Sequence, residues 1–165
     1  MKAGRPNSPR DHAAQILSLL GQSWLPEMYR ERVLTLRTRA YHFGKLPHKA
    51  RVQIHHSLLG VELQVGRQRF LCPDLATARY LSVFARAGCE DVAIPYDITQ
   101  ISCLADDLES SWQRMLLLIE HNLPNSANHA RIRGLIIAKL KAEIAEAGAG
   151  TVMPEFKQST RQRKS

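Results

Sequence analysis

The sequence predicts an α+β fold in which about five helices surround a small and mostly antiparallel sheet. In several segments the apolar residues recur every three or four positions, which is typical of amphipathic helices. Over residues 50–72 they alternate with polar residues instead, which indicates half-buried strands. A further short β-favouring run lies near residues 91–96. A chain of 165 residues can bury a core without disulfides or metals, so one domain is expected over residues 8–150.

The first helix is predicted to begin after Ser8. This residue is a favourable N-cap, and Pro9 suits the first helical position, where no backbone N–H is needed. Asp11 lies in the first turn, and Gly21 can end the helix in a left-handed conformation. The apolar stripe that would face the core consists of Ala13, Ile16, Leu17 and Leu20.

A second helix is predicted from about Pro26 onward. Its apolar face, at spacings of three and four, consists of Tyr29, Val33, Leu36, Ala40 and Phe43. Residues seven apart nearly eclipse on a helix, so Arg30 and Arg37 would lie along one flank of this stripe. Arg32 and Arg39 would lie along the other flank. The four arginines either extend into solvent or grip phosphates, and the pattern favours the first interpretation.

The alternating segment predicts an antiparallel meander of three strands. One face of the first strand, which we expect to be buried, carries Val52, Ile54, His56 and Leu58. The opposite, open face carries Arg51, Gln53, His55 and Ser57. His56 is therefore expected at the core or its edge, and His55 in the open. Gly66 and Arg67 fit a two-residue turn before a third strand that ends at Cys72.

The second half of the chain predicts two long helices after a short helix and a short strand. Asp74 is the expected N-cap of the short helix, which Gly88 closes, and Pro95 favours an edge position for the strand. Asp97 starts the next helix, whose apolar face carries Ile98, Ile101, Leu104, Leu108, Trp112, Met115 and Ile119. After a turn-rich break at 122–128, the last helix has a strict four-residue repeat of Ile132, Ile136, Leu140 and Ile144.

Charge is distributed along the chain in three blocks. Residues 1–56 hold ten Lys/Arg against three Asp/Glu, residues 57–123 hold five against nine, and residues 124–165 hold eight against three. The total is +8. Such asymmetry bears on partners rather than on the fold. We expect residues 1–7 to be a flexible N-terminus and residues 151–165 to be a basic disordered tail, because neither has a stable apolar face.

Membrane and secreted proteins are not indicated. The N-terminus lacks the apolar segment of a secretory signal. The longest apolar run, Met115–Ile119, is far too short to span a membrane. We therefore expect no membrane partner. Three cysteines, an odd number at wide spacing, indicate reduced thiols and hence a cytoplasmic protein.

Metal and catalytic motifs are scarce. Adjacent residues on a strand point to opposite faces, so His55 and His56 cannot share one ion if the strand forms there. A zinc site built from scattered residues such as Cys72, Cys89 and His56 stays open, although zinc sites usually contain local ligand pairs. The cysteines are better explained as small buried residues than as nucleophiles, and no phosphate-binding glycine loop occurs. We expect no cofactor and favour a non-enzymatic protein.

The charge pattern favours a sequence-tolerant Lys/Arg surface for nucleic acid, either DNA or RNA. Aromatic residues make up only 6% of the chain, which argues against a platform for base stacking. The candidate nucleic-acid-binding residues are Arg30, Arg32, Arg37, Arg39, Lys45, Lys49, Arg51, His55, Arg67 and Arg69.

The alternative function is a regulatory or assembly module that binds another protein. The acidic face of the long helix 98–121 would then contact the partner through Asp106, Asp107 and Glu109. Two other uses of this face remain open. It could be a solvated surface, or the basic second helix could dock against it within the chain.

Overall fold

The computed structural model describes residues 8–47, 51–122 and 128–150. The predictions of a flexible N-terminus over 1–7 and a disordered tail over 151–165 lie outside the described residues, and so does Lys49. The helices are α1 (Pro9–Leu20), α2 (Leu25–Met28), α3 (Leu75–Arg86), α4 (Ile98–Asn122) and α5 (His129–Ala147). A 3₁₀ turn at Gly21–Ser23 joins α1 to α2, and α2 continues as a π-helical turn over Tyr29–Val33.

The strands form two separate antiparallel sheets. They are β1 (Thr38–His42), β2 (Val52–Ser57), β3 (Gly60–Val65), β4 (Gln68–Cys72) and β5 (Asp91–Pro95). β2, β3 and β4 make a meander in that order, and β1 pairs with β5 in a two-stranded ribbon. The α+β class, the meander and the strand near 91–96 are thereby confirmed. The number of helices is slightly off, because α1, α3, α4 and α5 are full helices whereas α2 has only four residues.

The predicted helix starts rest on the expected caps. The Ser8 hydroxyl accepts a hydrogen bond from the Asp11 N–H at 3.2 Å, and the Asp74 carboxylate accepts one from the Thr77 N–H at 2.7 Å. Each bond satisfies a first-turn donor that has no partner within the helix. Gly66, in the turn between β3 and β4, has φ +61°, which favours glycine at that position.

The predicted second helix is wrong beyond its first turns. The helical segment is closed by the Leu34 N–H, which donates to the Tyr29 C=O at 3.0 Å, and the chain then enters β1. Thr38 and Tyr41 favour extended backbone, and pairing with β5 satisfies the backbone groups of this segment. The spacing of the five apolar residues therefore joins two different elements. Arg37 and Arg39 do not lie on a helix.

Two tyrosine hydroxyls complete the outer edge of β5. The Ala93 N–H donates to the Tyr29 hydroxyl at 2.8 Å, and the Tyr80 hydroxyl donates to the Ala93 C=O at 2.6 Å. The Tyr29 hydroxyl in turn donates to the Gly148 C=O at 2.5 Å. A ribbon of two strands leaves such groups unpaired, and a buried unpaired group is costly. Tyr29 therefore joins the ribbon to the chain that follows α5.

The chain after α5 packs closely on the ribbon. Gly150 has φ +80°, and a Cβ atom there would collide with the Thr38 hydroxyl and lie 3.2 Å from the Ala93 Cβ. Only glycine combines this backbone conformation with so close an approach. The predicted stripe of α5 faces the core, and its members Ile132, Ile136, Leu140 and Ile144 are all buried.

His56 is not a core residue, contrary to expectation. It lies opposite Val61 on the face of the meander that includes the buried Leu63 and Val65, so its side is as expected. However, β2 is an outer strand, and its second half, from His55 to Ser57, is exposed. Alternation with a period of two predicts on which side of the sheet a residue lies, but how far the core extends along the strand depends on tertiary packing.

No helix within the described segments is long and apolar enough to cross a membrane.

Candidate nucleic-acid interface

One end of the meander gathers basic residues from three segments of the chain. Arg51 directly precedes β2, and its C=O accepts a hydrogen bond from the Gly66 N–H at 2.9 Å. Arg67 follows Gly66 in the turn between β3 and β4, and Arg69 lies on β4. The Gln68 side chain donates to the Lys45 C=O at 3.3 Å, which fixes Lys45 beside the same turn. We call Lys45, Arg51, Arg67 and Arg69 the basic end.

All four side chains of the basic end are exposed. Glu62 is the sole acidic residue between Arg51 and Cys72, and its carboxylate lies 4.0 Å from the Arg69 guanidinium. Arg69 is 67% exposed, so this contact is weak and well screened by water. Among the described residues, no ion pair involves Lys45, Arg51 or Arg67. Within the described part of the chain, ion pairing thus offsets little of the positive charge at this end.

The open face of the meander continues from the basic end. Gln53 and His55 on β2 lie opposite Gln64 and Glu62 on β3. These four side chains are half-buried or exposed, as expected for the open side of the sheet. His55 is therefore paired across the two strands with Glu62. The opposite face packs against α3 and the core.

The other predicted cations have partners elsewhere in the chain. Arg30 pairs with Glu27 at 2.7 Å and with Glu143 at 3.4 Å, and Arg32 pairs with Asp107 at 2.6 Å. The Arg37 guanidinium lies 5.5 Å from the centre of the Tyr96 ring, a cation–π distance. Arg39 is exposed on β1, opposite Ile94. Arg30 and Arg32 are thus not part of the basic end, and the carboxylates that they contact offset their charge.

The acidic face of α4 is engaged within the chain. Arg79 of α3 contacts Asp106 at 2.5 Å and Glu109 at 2.6 Å, and Arg32 contacts Asp107. The sequence left internal docking open as one use of this face, and these contacts are of that kind. Binding of a protein partner through Asp106, Asp107 and Glu109 stays a prediction. Such a partner would compete with ion pairs already made.

A second cluster of polar residues lies outside the candidates that the sequence indicates. His42 of β1 and Asp91 of β5 are hydrogen-bonded through Nδ1, at the rim of a cleft of about 550 Å³. Lys141 and Cys89 also line this cleft. His42 and Asp91 lie 49 positions apart in the sequence and meet only through strand pairing. Because the spacing of apolar residues predicts a helix where β1 forms, no sequence pattern indicates their contact.

Two of the three cysteines are buried and poorly suited to act as nucleophiles. Cys72 and Cys89 are buried, and burial raises the pKa of their thiols to about 11 and about 12. They therefore remain protonated and unreactive at neutral pH. Cys103 is exposed on α4. Within the described residues, no three His, Cys, Asp or Glu side chains come close enough to hold a metal ion, so Cys72, Cys89 and His56 do not form the zinc site left open above.

Comparison of the chain with protein-family models, with curated proteins and with solved structures found no match.

Proposed function

We propose that the protein binds nucleic acid through the basic end of the meander, with little dependence on base sequence. The observation that carries this proposal is the convergence of Lys45, Arg51, Arg67 and Arg69 on one exposed end, where Glu62 makes the single ion pair found among the described residues. Lysine and arginine contacts to phosphates provide affinity and release counterions, and they carry no information about the bases.

The paired arginines take a smaller part in this proposal. An arginine held by a carboxylate must exchange one anionic partner for another, whereas an unpaired one exchanges only water and mobile ions. Arg30 and Arg32 are held by Glu27, Glu143 and Asp107. Lys49 lies in the sequence between Lys45 and Arg51, so we include it among the binding residues on the sequence alone.

The proposed location is the cytoplasm, as the cysteine pattern suggests. Cys72, Cys89 and Cys103 are free thiols, and proteins of reducing compartments keep such thiols unpaired.

The test is fluorescence anisotropy with labelled single-stranded DNA, double-stranded DNA and RNA across a salt series from about 50 to about 200 mM. If the four cations each contact one phosphate, the slope of log affinity against log salt is about −3 for single strands and about −4 for duplexes. Scrambling the base sequence should leave the affinity unchanged. Absence of binding at the lowest salt, or binding that salt does not weaken, would contradict the proposal.

A further inference from the structure

β2 is an outer strand whose backbone groups alternate in direction. The Gly66 N–H donates to the Arg51 C=O, which makes these two residues a hydrogen-bonded pair of the ladder. In an antiparallel ladder such pairs alternate with non-bonded ones, so Gln53, His55 and Ser57 also direct their backbone groups toward β3. Val52, Ile54 and His56 direct theirs outward, and in the described sheet no strand lies beside them.

The other outer strand of the meander is accompanied by protein. Phe70 of β4 packs against Phe43 and Tyr41, with ring centres 5.3 and 6.5 Å apart. The Gln68 side chain reaches the Lys45 backbone. The segment that follows β1 therefore runs alongside β4. β2 has no comparable neighbour among the described residues.

The edge of β2 lacks the usual protection against further pairing. Natural edge strands carry lysines, prolines or bulges that prevent the addition of another strand. Residues 52–57 contain no proline, lysine or acidic residue, and their pairing with β3 is regular from end to end. In the turn that follows, Leu58 and Leu59 are 106% and 84% exposed. An unprotected edge beside exposed leucines is suited to contact with protein rather than with water.

We propose that β2 pairs with β2 of a second copy of this chain, antiparallel and centred on Ile54. The outward groups of Val52 would then meet those of His56 in the other copy, and Ile54 would meet its own equivalent. Every outward N–H and C=O of the edge finds a partner in this register. Arg51 would lie opposite Ser57, so no like charges meet. The contact is isologous, because the same strand serves both copies.

Pairing of this kind would join the two meanders into one six-stranded sheet. Residues that face each other across antiparallel strands share a side, so both open faces would point the same way. The two basic ends would lie at opposite ends of the β2 pair, separated by roughly 20 Å for six residues of strand. This last consequence rests on the proposed function, whereas the pairing itself does not.

The first test uses the unmodified chain without nucleic acid. Sedimentation equilibrium from about 1 µM to about 1 mM should show a monomer–dimer equilibrium. Amide hydrogen exchange by NMR should show that protection of Val52, Ile54 and His56 rises at least about tenfold with concentration. Protection of Gln53 and His55, which is due to β3, should not change. A monomer throughout this range, or concentration-dependent protection confined to other segments, overturns the proposal.

A pair of variants tests the same contact by removing one outward N–H. His56→Pro deletes this donor at an exposed position, and His56→Ala keeps it. The proline variant should be monomeric and the alanine variant dimeric. A folded proline variant that dimerises as well as the alanine variant overturns the proposal. If the proline variant unfolds, the hydrogen-exchange pattern of the unmodified chain decides whether β2 pairs with β2 of a second copy. Because no nucleic acid is present, failure here is distinct from failure of the proposed function.

Discussion

The hydroxyls of Tyr29 and Tyr80 bind the backbone of Ala93 in place of a third strand. Both rings are fully buried, and burial raises the pKa of Tyr29 to about 12 and that of Tyr80 well above its usual value. Both hydroxyls therefore stay protonated at neutral pH and can act as donors. Tyr29 accepts from one backbone group and donates to another, so it ties β5 to the chain at Gly148.

We expect Tyr29→Phe to lower the free energy of unfolding by about 1–3 kcal/mol, because it leaves the Ala93 N–H and the Gly148 C=O without this partner. Tyr80→Phe should also destabilise, since it removes the donor to the Ala93 C=O. Urea denaturation followed by circular dichroism measures both effects. The control is Tyr96→Phe, whose ring is half exposed, and it should be neutral. Equal stability of the Tyr29 and Tyr96 variants would contradict this role of the hydroxyl.

Among the elements, those with local start and stop signals could be predicted from the sequence. α1 and α3 begin at the caps that Ser8 and Asp74 provide, and α5 follows its four-residue apolar repeat. The meander could be predicted as well, because alternation and the turn at Gly66 are properties of neighbouring residues. In each case the interactions that define the element lie within a few positions of one another.

β1 could not be predicted, because its partner lies about fifty positions further along the chain. Its pairing joins Thr38 to Pro95 and His42 to Asp91. When that partner is not considered, the apolar residues between Tyr29 and Phe43 recur at spacings of three and four, as they would on a helix. The error extends to the candidate site, because the predicted helix carries four of the candidate arginines, two on each flank of its apolar stripe. Two of them, Arg30 and Arg32, instead form ion pairs with carboxylates.

The α3–α4 contact includes an ion-pair cluster that can be tested by one substitution. Arg79 lies between Asp106 and Glu109 and is 28% exposed. Arg79→Gln leaves the two carboxylates facing each other without a cation, so we expect a loss of about 1 kcal/mol that shrinks at high salt. Thermal or urea unfolding at two salt concentrations measures it. The matched control is Arg86→Gln, an exposed arginine of the same helix. If the two variants are equally stable at low salt, the cluster does not stabilise the fold.

At the scale of the whole molecule, folding brings basic residues of one sequence block into ion pairs with acidic residues of another. Arg32 and Arg79 are paired with the acidic face of α4, and Arg30 is paired with Glu27 and Glu143. The net charge of +8 therefore does not mean that every basic residue is free to bind a partner, since several form ion pairs within the chain. The sequence predicts the sign of the net charge and supplies the basic residues that are candidates for binding. It could not predict which of them stay unpaired, because the pairs join residues far apart in the chain.

The central claim is that the basic end, and not net charge alone, binds nucleic acid. The most direct measurement compares two variants with the same net charge by anisotropy at about 0.1 M salt. One replaces the basic end with glutamine at Lys45, Arg51, Arg67 and Arg69. The other makes the same replacement at four exposed arginines on the helices α1, α3 and α5, namely Arg10, Arg86, Arg131 and Arg133.

We expect the basic-end variant to lose at least about tenfold in affinity and most of the salt slope. The matched variant should bind nearly as well as the unmodified chain, because long-range steering alone falls off within a Debye length of about 10 Å at 0.1 M salt. Equal weakening of the two variants, or none in either, would contradict the claim.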